Sequence, residues 1–214
     1  MSTSPHLLIL NHGGLRSLVA TALAHAEEPK PRLTLLYVDD GRDSRATRRA
    51  MMRRQAAFFG ISRVTELSMP HLYGHGHGRA PDGGAQGLYV RGQLLLAAMA
   101  EARQQQAEAV VWPVSVAGDV KQAGLATEQS VLCEHLAQAE ATPSPRVDSP
   151  LAELTDQQVI ELGEQLGVDW AMAWSCVRAG ETPCQACSAC RRRQQAFDKA
   201  GVVDTLLKPA GAAR

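Results

Sequence analysis

The sequence predicts an α/β domain: a parallel sheet with helices on both faces, carrying a small helical, cysteine-rich segment towards its C-terminus. Three observations predict it. Between His6 and Met69, strand-like apolar runs alternate with helix-periodic stretches in the order β-α-β-α-β. Gly13 and Gly14 lie between the first strand and the first helix, where a parallel unit needs a tight turn. Cys176, Cys184, Cys187 and Cys190, four of the five cysteines, follow the spacing C-x7-C-x2-C-x2-C.

The first strand is HLLILN, His6 to Asn11. Leu15, Leu18, Val19, Ala22 and Leu23 then recur at helical spacing. Arg32 to Val38 (RLTLLYV) is the second strand. Asp43 or Ser44 caps a helix that stops before Gly60, and Arg63 to Met69 is the third strand. His71 to Gly87 is rich in glycine and reads as a mobile surface loop. A helix over Tyr89 to Gln106 follows. The fourth strand covers Ala109 to Val116, with Pro113 marking an edge or a bulge. Asp119 caps a helix reaching about Ala139, and Ala141 to Pro150, with three prolines, reads as a connector. Thr155 and Gln158 form a capping box for a helix that Gly167 ends. The last helix runs from about Cys190 to Ala200, and the tail PAGAAR is expected to be disordered.

Composition narrows the function classes. The 214 residues are 45% hydrophobic and 21% charged, and the net charge is zero, so nothing in bulk charge points to a nucleic-acid partner. The longest apolar runs are too short to span a membrane, and MSTSPHLLIL lacks the basic start of a signal peptide. A cytoplasmic protein with reduced thiols is expected.

Four thiolates at these short spacings can close a tetrahedral shell around one Zn2+, because two-residue gaps let the chain fold back and aim successive sulfurs at one point. Structural zinc is favoured over an iron–sulfur cluster, since there is no second cysteine group, and over disulfides, since nothing suggests secretion. Asn11 to Ser17 reads N-H-G-G-L-R-S, a strand ending in a glycine turn that opens a helix. Such a turn presents backbone N–H groups and the positive end of a helix dipole to an anion. It matches neither the dinucleotide fingerprint nor the P-loop, so a plain tight turn stays open. His71, His75 and His77 could make a second metal or acid–base site, with a solvated loop favoured. Arg42, Arg45, Arg48, Arg49, Arg53 and Arg54 on one helix, and Arg191, Arg192 and Arg193 on another, could meet phosphate or nucleic acid, with a solvated face favoured. Cys133, Trp112, Trp170 and Trp174 read as packing residues.

Taken together, the chain resembles the 7-cyano-7-deazaguanine synthase family (QueC/ExsB) of the PP-loop ATP pyrophosphatases. That family's loop, S-G-G-x-D-S, corresponds to His12-Gly13-Gly14-Leu15-Arg16-Ser17. Its C-terminal pattern is matched at Pro150-Leu151, Leu154, Gly163, Leu166-Gly167-Val168, Trp174-Ser175-Cys176, Gly180, Pro183-Cys184, Cys187, Cys190, Arg193, Ala196-Phe197 and Ala200-Gly201. The match is strong over about 150–201 and topological before it.

The resemblance implies a Rossmann-like, adenine nucleotide alpha hydrolase-like sheet, and structural Zn2+ on Cys176, Cys184, Cys187 and Cys190. It implies ATP, with Mg2+, at His12, Gly13, Gly14, Arg16 and Ser17, and a homodimer. It divides the chain into a nucleotide-binding part over 1–149, a zinc-knuckle part over 150–204 and a tail over 205–214, in one compact unit. The implied reaction, from queuosine biosynthesis, is ATP-dependent conversion of a deazapurine carboxylate to an amide and then a nitrile. Four segments depart from the pattern. His12 and Arg16 replace the loop's serine and aspartate, and a guanidinium repels Mg2+ where a carboxylate would hold it. Tyr37-Val38-Asp39-Asp40-Gly41-Arg42 replaces Y-G-Q-R-H, Arg91-Gly92-Gln93 replaces G-R-N, and of Y-P-D-C-R only Asp119 is kept. No catalytic residue is assigned. The alternatives are a non-catalytic nucleotide-, anion- or partner-binding paralogue, and a tRNA-contacting protein.

Overall fold

The structure, a computed structural model, describes residues 4–72, 86–116, 119–140 and 142–207, with the backbone alone at 86–89. Five strands form one parallel sheet: β1 (His6–Leu10), β2 (Arg32–Asp39), β3 (Arg63–Ser68), β4 (Ala109–Val111) and β5 (Arg146–Asp148). Their order across the sheet is β3-β2-β1-β4-β5, and all four pairings are parallel. The order reverses between β1 and β4. In open parallel sheets, ligands bind outside the C-terminal strand ends at such a reversal.

Side chains alternate between the two faces of a strand, so β1 and β2 feed two cores. Leu7, Ile9, Leu33 and Leu35 face α1 (Leu15–His25), α2 (Arg45–Phe58), α5 (Asp156–Gln165) and α6 (Ser188–Ala200). Leu8, Leu10, Leu36 and Val38 face α3 (Gln86–Gln104) and α4 (Val120–Glu140). Burying each such leucine contributes about 1.5–3 kcal/mol. Leu151, Ile160, Trp170 and Phe197 share the first core with β1 and α1, so the C-terminal helices close the face on which α1 lies. Trp112, Trp170, Trp174 and Cys133 are all buried, as packing residues should be.

The parallel α/β architecture is as expected, with differences at element boundaries. The fourth strand ends at Val111, not Val116, because Pro113 has no N–H to give the ladder. The expected connector over 141–150 contains a fifth strand, paired with β4 at Val110↔Val147. Helix α3 begins at Gln86, inside the stretch read as loop, while residues 73–85 lie outside the described residues. The Thr155–Gln158 capping box is formed, with Gln158 N–H donating to Thr155 Oγ1 at 3.2 Å and Thr155 N–H to Gln158 Oε1 at 2.9 Å. No helix among the described residues is long and apolar enough to cross a membrane.

Candidate functional site

Asn11 directly follows β1, and the glycine turn after it stands at the sheet's reversal point. Asn11 is fully buried and fastens the turn from below. Its amide donates to Thr21 Oγ1 (3.2 Å) and Gln55 Oε1 (2.8 Å), and its Oδ1 accepts Gly13 N–H at 2.8 Å. Gln55 in turn donates to Met172 O at 2.7 Å. Ser17 Oγ accepts His12 N–H at 3.1 Å. Gly13 has φ +66, in the left-handed region, and a Cβ there would run into the Arg48 carbonyl oxygen. The turn is thus held in one shape from both sides.

Helix α1 starts at Leu15, with Gly14 as its N-cap and no side chain capping it. The N–H groups of Leu15, Arg16 and Ser17 have no acceptor within the helix, which leaves a positive dipole end beneath the turn. Two cations flank it differently. Arg16 is held by Asp156, the first residue of α5, at 2.6 Å, and Arg192 approaches the same carboxylate at 3.6 Å. Arg48 faces the turn instead. Its guanidinium donates to Ser44 Oγ (3.0 Å), Ser175 O (3.3 Å) and His12 O (3.5 Å), and among the described residues no carboxylate lies within ion-pair distance of it. Asp40, close enough to act on both Arg48 and His12, is engaged by Arg42. Burial, with Arg42 repelling, draws Arg48 down to about 10, still a cation at neutral pH. Burial, with Arg42 and Arg48 repelling, lowers His12 to about 4, so its ring is neutral there at pH 7.

The four cysteines converge behind this loop. Their Sγ atoms all lie within 4.8 Å of one another, and all five cysteines of the chain are free thiols. N–H groups of Arg178 and Cys184 donate to Cys176 Sγ, and that of Cys190 donates to Cys187 Sγ, each at 3.4 Å. These donors suit thiolates. Backbone N–H groups of Ala186 and Cys187 lower Cys184 to about 6, while burial pushes Cys176 and Cys190 up. The donor set fits a metal ion. Arg193, read as one of a solvated row, is buried and locks the segment. It pairs with Asp204 (2.5 Å and 2.7 Å) and donates to Ala173 O (2.5 Å) and Trp170 O (3.1 Å).

Loop and cysteine centre touch through the residues just before Cys176. Trp174 N–H donates to Gly13 O at 2.8 Å, and Arg48 reaches Ser175 O. The solvated-face reading of the arginines holds for Arg45, Arg53, Arg54, Arg191 and Arg192, which are exposed, and fails for Arg48 and Arg193. A signal was present: Arg48 is in phase with buried Met52, Gln55 and Ala56, and Arg193 with Cys190, Ala196 and Phe197. Asn11, Gln55 and Trp174 were not singled out for the site either. His71 is exposed, and His75 and His77 lie outside the described residues. Arg91 donates to Gln122, and Asp119 Oδ1 accepts Gln122 N–H near the start of α4.

The family model for queuosine biosynthesis protein QueC matches residues 92–201, just over half of the chain. It therefore includes the cysteine centre and begins after the glycine turn. A 7-cyano-7-deazaguanine synthase of Trichodesmium erythraeum is 42% identical over 59 residues, 28% of this chain and 27% of that protein. The aligned stretch thus spans about a quarter of the relative's length. Among solved structures, the U34-tRNA thiolase NcsA from Methanococcus maripaludis with its [4Fe-4S] cluster superposes with a TM-score of 0.55 at 15% identity, covering 92% of this chain and 65% of that one. A 4-thiouridine synthetase–RNA complex with bound ATP gives 0.54 at 15% identity, covering 92% of this chain and 50% of that one. At such identities these two share the fold.

Proposed function

The chain belongs to the queuosine biosynthesis protein QueC family, and from that premise we propose that it binds ATP at the His12–Ser17 turn and holds a structural zinc ion on Cys176, Cys184, Cys187 and Cys190. The observation that carries the nucleotide reading is Arg48, a guanidinium with no carboxylate within ion-pair distance among the described residues, set against the uncapped start of α1. N–H groups of α1 would take a phosphate, Gly13 and Gly14 would let it approach the backbone, and Arg48 would offset its charge. Mg2+ does not fit this loop. Asp40, the acid acting on His12 and Arg48, is engaged by Arg42, and Arg16, at the family's aspartate position, is a cation bound to Asp156.

The chemistry that follows from the family is ligation on the carboxylate of a deazapurine-like substrate. A carboxylate oxygen attacks the α-phosphorus of ATP, the bond to the β-phosphate breaks, and pyrophosphate leaves. Ammonia then displaces AMP to give the amide, and a second ATP drives its dehydration to the nitrile. Residues around Arg48 would stabilise the departing pyrophosphate, a role that grows as its charge develops. A second reading, favoured by the Arg16–Asp156 pair, is a paralogue that binds nucleotide without turning it over.

Zinc is proposed on size. With Zn–S of about 2.3 Å, a tetrahedral ion spaces its sulfurs roughly 3.8 Å apart. Cys184 and Cys190 Sγ are 4.0 Å apart, and no pair exceeds 4.8 Å. A four-iron cube holds its thiolates wider. The zinc would brace the fold and take no part in the reaction.

The test is AMP and pyrophosphate release with 7-carboxy-7-deazaguanine and ammonia, alongside metal analysis of the purified chain. Release above the substrate-free rate supports ligation. ATP binding without release supports the paralogue. Neither binding nor release refutes both, and a metal other than zinc refutes the metal assignment.

A further inference from the structure

We propose that Arg48 is a positioning residue that makes the glycine turn and the cysteine centre one coupled unit, so that metal on the cysteines sets the turn's readiness for phosphate. This rests on the reading that the turn takes phosphate and the cysteines a metal. Two connections cross between the elements. Trp174 N–H is bonded to Gly13 O at 2.8 Å, and the Arg48 guanidinium spans Ser175 O (3.3 Å) and His12 O (3.5 Å) while Ser44 Oγ holds its Nε at 3.0 Å. Trp174 and Ser175 directly precede Cys176, and the Trp174 side chain packs with Cys176 and Cys190.

The turn has little room to move independently. Gly13 is so close to the Arg48 carbonyl that a Cβ would collide with it, and its N–H is spent on Asn11. Gly14 faces the same two partners: a Cβ there would lie 3.7 Å from Trp174 O and 3.8 Å from an Arg48 guanidinium nitrogen. A shift of residues 174–176 therefore moves Gly13 and Arg48 together. The free energy linking two sites is reciprocal, so phosphate on the turn must tighten metal on the cysteines by the factor by which metal tightens phosphate.

The experiment compares metal-loaded with chelator-stripped protein, using hydrogen exchange of residues 13–18 and pyrophosphate affinity by calorimetry. Exchange in β2 serves as the check that the sheet stays folded. The expected result is that stripping speeds exchange in 13–18 and weakens pyrophosphate about tenfold, within the usual range for coupled sites. In Arg48→Met, exchange of 13–18 is already fast when loaded and the loaded-to-stripped affinity ratio falls towards one. Arg48→Lys keeps the charge but cannot span both carbonyls, so its ratio falls too. Arg53→Met, on the exposed side of α2, keeps the wild-type ratio. General destabilisation would weaken both forms alike and leave the ratio intact. Unchanged exchange on stripping with β2 protected, or a tenfold ratio surviving in Arg48→Met, overturns the proposal. Absence of pyrophosphate binding to the loaded protein counts against the nucleotide reading alone, and exchange still decides the coupling.

Discussion

Arg16 and Asp156 meet at 2.6 Å between the first turns of α1 and α5, and this contact takes the loop's own cation away from the turn. The family pattern puts an aspartate at position 16. Here the charge is reversed and matched by an acid from another helix, while Arg48 on α2 supplies the cation at the turn. On the proposed reading, a phosphate cradle here would be built from a helix end and an arginine borrowed from α2.

Reversing that arrangement should change the metal dependence of binding. In His12→Ser combined with Arg16→Asp, position 16 would present a carboxylate opposite Asp156, and two acids can share a divalent ion. ATP binding by the double variant should strengthen at least fivefold with millimolar Mg2+, read by calorimetry. Equal binding with and without Mg2+ would count against the reading of position 16.

Gly13→Ala and Gly14→Ala should differ sharply. Alanine at position 13 must adopt φ +66 and displace the Arg48 carbonyl, a cost of about 1–3 kcal/mol. Alanine at position 14 meets only ordinary contacts beyond 3.4 Å. Thermal or urea denaturation should show the first destabilised and the second within about 0.5 kcal/mol of the parent. Equal losses would refute the close approach.

Arg193→Met leaves the Asp204 carboxylate, its side chain only 8% exposed, without its cation, which costs about 3–5 kcal/mol. Arg192→Met removes an exposed cation 3.6 Å from Asp156 and costs at most about 0.5 kcal/mol. Urea midpoints compare the two, and similar values would mean that the buried pair does not pin the C-terminal segment.

His12 sets a pH dependence. Its folded value, about 4, is below the ordinary 6.5, so between these the unfolded chain binds more protons. Stability should rise with pH across that window and be flat above it, with a His12 contribution of up to about 3 kcal/mol. His12→Gln should flatten the slope. Phosphate on the turn would raise His12, so binding near pH 5 should take up a proton, seen as buffer-dependent heat. A parent protein with no slope between pH 4 and 6.5 contradicts the desolvation of His12.

Much of this was legible in the chain because local rules and tertiary needs agree there. Thr155 and Gln158 cap α5 as their spacing requires, and the C-x2-C gaps bring the sulfurs together. Where only tertiary contact decides, local reading failed. β5 is three residues long in a proline-rich stretch, and β4's edge makes it a strand. Arg48 and Arg193 sit in arginine-rich runs, and residue type alone does not separate a cation that reaches a carbonyl from one in water. Helical phase is the signal that does, since each falls in line with buried neighbours.

On the proposed reading, the turn takes ATP on backbone N–H groups and Arg48 without a divalent ion. Calorimetric titration of ATP into metal-loaded protein, with Mg2+ and then without it, tests this most directly. EDTA is omitted so that the cysteine centre stays intact. Saturable binding is expected, differing by less than about twofold between the two conditions and by at least tenfold between the parent and Arg48→Met, the loss of one charge-assisted contact. No binding, or binding that appears only with Mg2+, would contradict it.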